Sequence, residues 1–324
     1  MPLSGIEAEY EADLLIESYE NVAEGVVALT LADPNGAELP AWTPGAHIDL
    51  VLTDELVRQY SLCSSPSDSH HFKVGVLNEP ASRGGSKHVH EKLSAGSTVK
   101  VRGPRNHFPL QPAKRYVFIA GGIGITPMIP MIEQAEVEGA EWTLIYGGRS
   151  TDTMAFLDHL SQYGDRVIVV AGNDVALMSE KLDEHIGTPR DHTLIYTCGP
   201  EGLLTAVQER AKAWPSGSLN FERFAPKTKS EFAVDEAFDV ELQRSGVTVH
   251  VPAGRSIFRA VEDAGISVLG SCHEGICGTC ETVIIEGEAD HRDSVLNEVE
   301  QESNETMMIC VSRCKPGSHL VLDL

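Results

Sequence analysis

Three of the seven cysteines in the chain lie within the short stretch 272–280, which reads CHEGICGTC. Thiols this close together could be disulfide partners, zinc ligands, a redox pair or the ligands of an iron–sulfur cluster. The number of cysteines is odd and their distribution is uneven, which favours metal or redox chemistry over a disulfide framework.

The spacing of these cysteines separates the alternatives. Cys272-x4-Cys277-x2-Cys280, with Cys310 further along, is the plant-type [2Fe–2S] spacing. A four-cysteine zinc site usually has two CxxC pairs, a thioredoxin-type pair needs no further cysteine, and a Rieske centre needs two histidine ligands. We therefore predict a [2Fe–2S] cluster on these four residues. Cys314 is left over and is expected to be a buried thiol near the cluster.

A second candidate site begins with the glycine-rich turn 121–124, which reads GGIG and lies between a predicted strand and a predicted helix. Glycines there would let a pyrophosphate approach the backbone and the helix N-terminus. Two more predicted strand ends, 146–149 (YGGR) and 197–200 (TCGP), should meet the same sheet edge. The candidate nicotinamide-binding residues are Gly121, Gly122, Gly124, Thr126, Gly147, Arg149, Asp174, Cys198, Gly199 and Pro200. The alternative for Cys198 is an ordinary core thiol.

The end of the third predicted strand of this region bears on the choice of nucleotide. It reads Ala171-Gly172-Asn173-Asp174, and the next cation is Lys181. An NADP site needs a cation for the 2′-phosphate, and the Asp174 carboxylate would repel that phosphate. The sequence therefore favours NADH.

A third candidate site involves two polar motifs in the N-terminal part, 58–62 (RQYSL) and 83–86 (RGGS). Tyr60 offers a flat face and Ser61 a hydroxyl to an isoalloxazine ring, while Arg83 and the N–H groups after it could hold a phosphate. Each motif alone could be an ordinary polar loop. However, NADH gives up two electrons as a hydride, whereas a [2Fe–2S] cluster accepts one, so a flavin between them is expected.

The predicted secondary structure that positions these residues changes along the chain. Short apolar runs separated by turns up to about residue 108 predict a small antiparallel β-barrel. Strand and helix then alternate, which predicts a parallel α/β domain whose last strand is Ser218–Phe224. After a polar linker, a predicted hairpin, a helix with Ser256 as N-cap, the cysteine loop and further strands close the chain. The predicted domains are 1–111, 112–226 and 238–324, with a linker at 227–237.

The composition of the chain limits its possible partners and its location in the cell. The net charge of −23 makes nucleic acid an unfavourable partner, since phosphate binding needs clustered Lys and Arg. We expect no membrane span and no secretory signal, and we expect a cytoplasmic monomer with reduced thiols. From Asp235 onward, 17 Asp and Glu stand against 6 Lys and Arg. This acidic region is either a solvated face or a docking surface for a basic partner.

The motifs together resemble the phthalate dioxygenase reductase family over nearly the full length. The resemblance rests on segments that include RQYSL, SRGGS, RNHFPL, AGGIGITPM, WPSGSLNFERF and CHEGICGTC, in the order flavin barrel, nicotinamide domain, C-terminal ferredoxin. It implies an NAD domain of the ferredoxin-reductase type and a C-terminal α+β ferredoxin of the β-grasp type. It also implies FMN rather than FAD. The implied FMN-binding residues are Arg58, Tyr60, Ser61, Arg83, Gly84, Gly85, Ser86, Thr126 and Phe224.

The hypothesis is an NADH-dependent oxidoreductase in which electrons pass from NADH to FMN, to the cluster, and then to a separate Rieske-type oxygenase or demethylase. No side chain needs to act as a general acid or base, because the hydride acceptor is FMN. Two alternatives stay open, namely the same electron chain serving a cytochrome P450, and a non-catalytic electron-transfer or redox-sensing subunit.

Overall fold

The computed structural model describes residues 10–53, 56–80, 84–225 and 235–324 of the chain. The chain separates into two compact units, Met1–Glu222 and Arg223–Leu324. The expected architecture of an antiparallel barrel, a parallel-sheet nucleotide domain and a C-terminal ferredoxin domain is confirmed. The finer boundaries at residues 111, 226 and 237 stay predictions. No helix among the described residues is long and apolar enough to cross a membrane.

The first part of the first unit is a closed six-stranded barrel. Its strands are β1 (Glu11–Ala23), β2 (Val26–Ala32), β3 (His47–Thr53), β4 (Leu56–Ser61), β5 (His71–Leu77) and β6 (Thr98–Arg105). They pair in the order β4-β3-β6-β1-β2-β5, and a bridge between Leu62 and Val74 joins the two outer strands. Apolar side chains such as Ile48, Leu50 and Val101 fill the interior. Helix α1 (Gly85–Lys92) contacts β3, β4 and β5.

The second part of the first unit is a five-stranded parallel sheet with helices between its strands. The strands are β7 (Arg115–Gly121), β8 (Glu141–Gly147), β9 (Val167–Val170), β10 (Thr193–Cys198) and β11 (Leu219–Glu222). The helices are α2 (Met128–Glu138), α3 (Leu157–Leu160), α4 (Val175–Ile186) and α5 (Glu201–Ala211). The strand order is β11-β10-β7-β8-β9. Strand β11 is shorter at both ends than the predicted Ser218–Phe224.

One face of this sheet carries a dense aromatic core. Tyr116, Phe118 and Tyr196 pack there against Phe108, which follows the last barrel strand. The hydroxyl of Tyr196 donates to the carbonyl of Pro109 and accepts from the backbone N–H of Gln111. These contacts attach the barrel to the nucleotide domain, so the carboxyl ends of the parallel strands have a fixed position relative to the barrel.

The second unit contains a five-stranded mixed sheet, a two-stranded sheet and, among its described residues, two helices. Its strands are β12 (Phe238–Leu242), β13 (Val247–Val251), β14 (Glu281–Glu286), β15 (Ala289–Asp290), β16 (Thr306–Met308), β17 (Arg313–Cys314) and β18 (Leu320–Leu322), and its helices are α6 (Ile257–Asp263) and α7 (Glu298–Ser303). The larger sheet has the order β13-β12-β18-β14-β16, and β15 pairs with β17 in the smaller one. The predicted hairpin is the antiparallel pair β12 and β13. The predicted N-cap is also found, since the Ser256 hydroxyl accepts from the N–H of Arg259 at 3.3 Å. The cysteine loop lies between α6 and β14.

Candidate redox centres

The four cysteines selected from their spacing are brought together in the second unit. The Cys272 thiol is hydrogen-bonded to those of Cys277 and Cys310, and Cys310 is hydrogen-bonded to Cys280. Cys277, Cys280 and Cys310 are buried, whereas Cys272 is half-buried. Three cysteines from the loop before β14 and one that follows β16 therefore form one group of thiols.

Backbone and hydroxyl donors surround the sulfurs. The N–H of Glu274 donates to the Cys272 sulfur at 3.3 Å, and the N–H of Ile276 reaches the same atom. The N–H of Gly275 points at the Cys310 sulfur, and the Thr279 hydroxyl lies 3.2 Å from the Cys277 sulfur. Donors of this kind stabilise thiolates and a cluster that gains negative charge on reduction.

The glycines of the loop are needed for its shape. Gly275 and Gly278 have φ angles of +68° and +71°, in the left-handed region that side chains disfavour. A Cβ on Gly275 would also lie 2.5 Å from a methyl group of Val311. Gly270 has no positive φ, but a Cβ there would meet the ring of Phe258 at 2.4 Å. Its role is therefore close packing beside the loop rather than an unusual backbone conformation.

The donor set, four thiols that contact one another, fits a [2Fe–2S] cluster. Among the described residues, no three His, Cys, Asp or Glu side chains are arranged to hold one metal ion. The thiols instead contact one another in the spatial order 277, 272, 310, 280. The hydrogen bond to Cys272, and then burial, raise the pKa of Cys277, so metal would have to displace thiol protons on binding. Cys314 is buried, with its sulfur directed at the Ser318 carbonyl at 3.4 Å.

The predicted strand ends meet at the nucleotide-binding edge of the sheet. Two of the glycines there, however, make room for neighbouring protein atoms rather than for a pyrophosphate. A Cβ on Gly124 would lie 2.3 Å from the carbonyl oxygen of Cys198, and one on Gly121 would lie 2.6 Å from Pro200. These two glycines let the turns after β7 and β10 pack backbone against backbone. Gly122, with φ +54°, has no atom near its Cβ position. Of these three glycines, Gly122 is therefore the one with open space for a ligand.

The outer part of this edge holds charges of both signs. Asp174 is the N-cap of α4, with its Oδ1 accepting from the N–H of Leu177 at 2.9 Å. Arg149 is exposed after β8, and its carbonyl accepts from the N–H of Gly172. Sequence distance alone had suggested no cation near Asp174, whereas strand pairing brings the backbone of Arg149 to this loop. Gly147 is buried at the end of β8, against Met178.

Glu222 was missed in the sequence analysis. It ends β11 in register with Cys198, which is fully buried. The Glu222 side chain is partly accessible, yet among the described residues its Oε2 is buried without a hydrogen-bond partner. Burial raises the pKa of Glu222 to about 8. The sequence could have indicated Glu222, because it is a carboxylate at the carboxyl end of a predicted parallel strand, and ligands bind at these strand ends.

The structure brings together two parts of the predicted flavin site. A Cβ on Gly85 would lie 2.4 Å from Cγ of Arg58, so the start of α1 packs directly on that side chain. Gly84 is the N-cap with φ +95°, and the first turn of α1 has no acidic residue. A helix N-terminus beside an arginine fits a phosphate group. The Ser86 hydroxyl accepts from the N–H of Glu79 at 3.1 Å.

Tyr60, Ser61 and Thr126 lie around the junction of barrel and nucleotide domain. Tyr60 and Ser61 are consecutive at the end of β4, so their side chains point to opposite faces of the strand. A ring contacted by both must lie across the strand end. Thr126 is buried, and its Cγ2 lies 2.9 Å from the Cβ position of Gly75 on β5, the strand that closes the barrel against β4.

For two predicted flavin residues the structure gives no test. Arg83 lies outside the described residues. Phe224 belongs to the second unit, two residues after β11 ends, and its side chain is 41% exposed. Their contacts with a flavin stay predictions.

The raised pKa of Glu222 leads to a prediction about stability. The neutral carboxyl stabilises the fold fully below the ordinary pKa of about 4.5, and this contribution is lost as the pH rises towards 8. We expect Glu222→Gln to raise the melting temperature relative to the unsubstituted protein at pH 8 more than at pH 5. Scanning calorimetry without added cofactors measures both differences. Glu209→Gln, at an exposed position paired with Lys212, is the control. If the change in melting temperature caused by Glu222→Gln is the same at pH 5 and pH 8, the carboxyl of Glu222 is not buried as described.

Comparisons with known proteins agree with this geometry. Residues 240–315 match the family described as 2Fe-2S iron-sulfur cluster binding domain, and residues 118–209 match the family described as oxidoreductase NAD-binding domain. A vanillate O-demethylase oxidoreductase from Pseudomonas sp. is 37% identical, covering 96% of this chain and 99% of the relative.

Solved structures that are similar over 97% of the chain include a reductase and a cytochrome P450. Phthalate dioxygenase reductase, described as transferring electrons from pyridine nucleotides to [2Fe-2S], has a TM-score of 0.71 at 35% identity, with 98% of its own chain covered. An intact type IV self-sufficient cytochrome P450 monooxygenase has a TM-score of 0.89 at 42% identity. This chain spans only 41% of that P450 chain.

The matches in sequence, fold and domain order agree over nearly the whole chain. The cofactors of this group of oxygenase reductases are FMN, NADH and a [2Fe–2S] cluster. The chain belongs to the phthalate dioxygenase reductase family of NADH-dependent oxidoreductases.

Proposed function

We propose that this chain passes single electrons, taken from NADH through FMN and its [2Fe–2S] cluster, to a separate Rieske-type oxygenase or demethylase. The observation that carries the proposal is the group of four thiols with N–H donors on two of its sulfurs, in the same chain as a nicotinamide domain. Bound FMN would accept a hydride and release electrons one at a time. The residues of the chain bind and orient the cofactors.

The flavin phosphate is proposed to sit at the N-terminus of α1. Arg58 supplies positive charge, the N–H groups of Gly85 and Ser86 supply donors, and Arg83 is a further candidate. The close packing of Gly85 on Arg58 supports this assignment, because it puts the guanidinium stem beside the helix start. The ring would lie across the end of β4, with Tyr60 and Ser61 on its two sides and Thr126 nearby. Burial raises the pKa of Tyr60 to about 12, so the phenol stays neutral beside the ring.

The nicotinamide is proposed to enter at the carboxyl ends of β7 and β10. Gly122 leaves room for the pyrophosphate, and Cys198, Gly199 and Pro200 form the wall on the neighbouring strand. The unpaired Oε2 of Glu222 supports a role in holding the carboxamide, because an amide N–H₂ group would supply the missing donor. Oriented binding of this kind is the main contribution of the protein to hydride transfer.

The partner is proposed to be a Rieske-type enzyme because the full-length relatives are named for dioxygenase and demethylase systems. The acidic ferredoxin region, with 17 Asp and Glu against 6 Lys and Arg from Asp235 onward, would then attract a basic docking surface. A cytochrome P450 is the second candidate, supported by the 42% identity to the reductase part of a self-sufficient P450. We propose that this electron transfer takes place in the cytoplasm, where free thiols stay reduced. The monomeric state stays a prediction.

Two cysteine variants test the cluster assignment. We expect Cys277→Ser to lose iron and acid-labile sulfide while NADH still bleaches the flavin, because all of the proposed flavin and nicotinamide residues except Phe224 lie in the other unit. Reduction of cytochrome c, a one-electron protein acceptor, should fall at least 10-fold. Cys314→Ser, which changes a buried thiol outside the predicted ligand set, is the matched control and should retain the cluster. Iron loss from the Cys314 variant, or full iron content in the Cys277 variant, would contradict the ligand set.

Reconstitution tests the partner class. We expect the purified protein to support NADH-dependent turnover by the oxygenase component of a phthalate dioxygenase system, and to support it better than turnover by a P450 haem domain freed from its own reductase. Because docking by opposite charges is screened by salt, the rate with the oxygenase should fall several-fold between low and physiological ionic strength. A higher rate with the haem domain would instead favour the P450 alternative.

A further inference from the structure

A buried tyrosine hydroxyl joins two loops at the nucleotide-binding edge of the sheet. Tyr146 is the second-last residue of β8, and its side chain is fully buried. Its hydroxyl lies 3.2 Å from the carbonyl oxygen of Gly122, in the turn after β7, and 3.2 Å from that of Ala155, in the loop after β8. Burial raises the pKa of Tyr146, so the phenol keeps its proton and remains a donor. One proton is therefore shared between backbone carbonyls of two neighbouring loops.

The direction of the Gly122 carbonyl decides where the next N–H group points. A peptide bond is planar and trans, so the C=O of Gly122 and the N–H of Ile123 point in opposite directions. Because this carbonyl points at a hydroxyl in the core, the N–H of Ile123 points away from the core. No atom lies within 4 Å of the Cβ position of Gly122, so there is open space beside this peptide group. This space is the proposed seat of the pyrophosphate.

The peptide group after Gly122 is easy to turn over unless something holds it. Gly122 has a φ angle of +54°, and glycine adopts positive and negative φ about equally well. A turned peptide group would bring the carbonyl oxygen, with its partial negative charge, to the place where a phosphate must bind. The hydrogen bond from Tyr146 favours the orientation that brings the N–H group there instead.

The second acceptor of the hydroxyl gives the turn a support. Ala155 is 1% exposed, and Phe156 after it has its ring carbon Cε2 3.3 Å from the Cβ position of Gly75 on β5. Cδ1 of Ile123 lies 3.4 Å from the same Cβ position. The two loops that share the Tyr146 hydroxyl therefore also pack on the same residue of the barrel.

We propose that the Tyr146 hydroxyl positions the site for the pyrophosphate of NADH. It keeps the Gly122 carbonyl turned inward and so presents the N–H of Ile123 to the pyrophosphate. Tyr146 is a positioning residue, because it acts through the peptide group between Gly122 and Ile123. The inference rests on the proposed function, since it needs NADH at this sheet edge. It concerns the pyrophosphate alone, and not the nicotinamide ring or the flavin.

The binding test uses Tyr146→Phe, which removes the hydroxyl and keeps the ring. ADP-ribose carries the pyrophosphate without the nicotinamide, and calorimetry measures its Kd without turnover. We expect this Kd to rise about 10-fold, as when a hydrogen bond to a charged group loses its geometry. Tyr116→Phe is the matched control and should leave the Kd unchanged. It removes another buried hydroxyl of the same sheet, which donates to the carbonyl of Gln111 at the opposite end of β7.

Two hydride donors separate positioning from a general defect of the fold. In stopped-flow reduction of FMN-loaded Tyr146→Phe, the NADH concentration that gives half the limiting rate should rise about 10-fold, while the limiting rate itself stays within about 2-fold. N-benzyl-dihydronicotinamide donates a hydride but has no pyrophosphate. It should bleach the flavin of the variant and of the unsubstituted protein at the same rate. A merely structural role of Tyr146 would slow both donors.

A measurement on the unsubstituted protein covers the case in which Tyr146→Phe does not fold. ADP-ribose should shift the backbone amide resonance of Ile123, whereas adenosine, which has no phosphate, should not. An unchanged Kd in folded Tyr146→Phe, equal slowing with both hydride donors, or an Ile123 resonance that ADP-ribose does not shift overturns the inference. If the unsubstituted protein binds no ADP-ribose and NADH does not bleach its flavin, the proposed function is contradicted instead.

Discussion

The constraint on which this molecule depends is the mismatch between a hydride, which moves two electrons with a proton, and a [2Fe–2S] cluster, which moves one electron without a proton. Because of this mismatch, a nicotinamide cannot pass its hydride directly to a cluster. The chain therefore combines a nucleotide-binding sheet edge, a barrel with an arginine beside a helix start, and a group of four thiols. Backbone N–H groups are available at the start of α1 and around the sulfurs of the thiol group, where they would suit a phosphate and a cluster respectively.

Close backbone packing gives these parts their precision. The turns after β7 and β10 touch because Gly121 and Gly124 carry no side chain, and this contact sets the edge where the nicotinamide is proposed to enter. In the second unit, Gly275 lets the loop turn in the left-handed region while its N–H faces Cys310. Close packing within the protein thus accounts for Gly121, Gly124 and Gly275, whereas Gly122 has open space beside it.

Much of the fold and of the cluster site could be predicted from the sequence, because both are encoded locally. The alternation of strands and helices, the Ser256 cap and the spacing of Cys272, Cys277 and Cys280 depend on neighbouring residues. Glu222 and the position of Arg149 could not be found in this way, since their significance comes from strand pairing. Glu222 matters because it is in register with Cys198, and Arg149 because β8 pairs with β9, so that its carbonyl accepts from the N–H of Gly172. Neither pairing can be read from sequence distance.

The most direct measurement of the central claim is an anaerobic titration with NADH, followed by flavin absorbance and by electron paramagnetic resonance. The account predicts that the flavin bleaches, that a reduced [2Fe–2S] signal integrating to about one spin per chain develops, and that about three electrons, or 1.5 equivalents of NADH, complete the reduction. A flavin that bleaches fully after one equivalent, with no cluster signal even with excess NADH, would contradict the account.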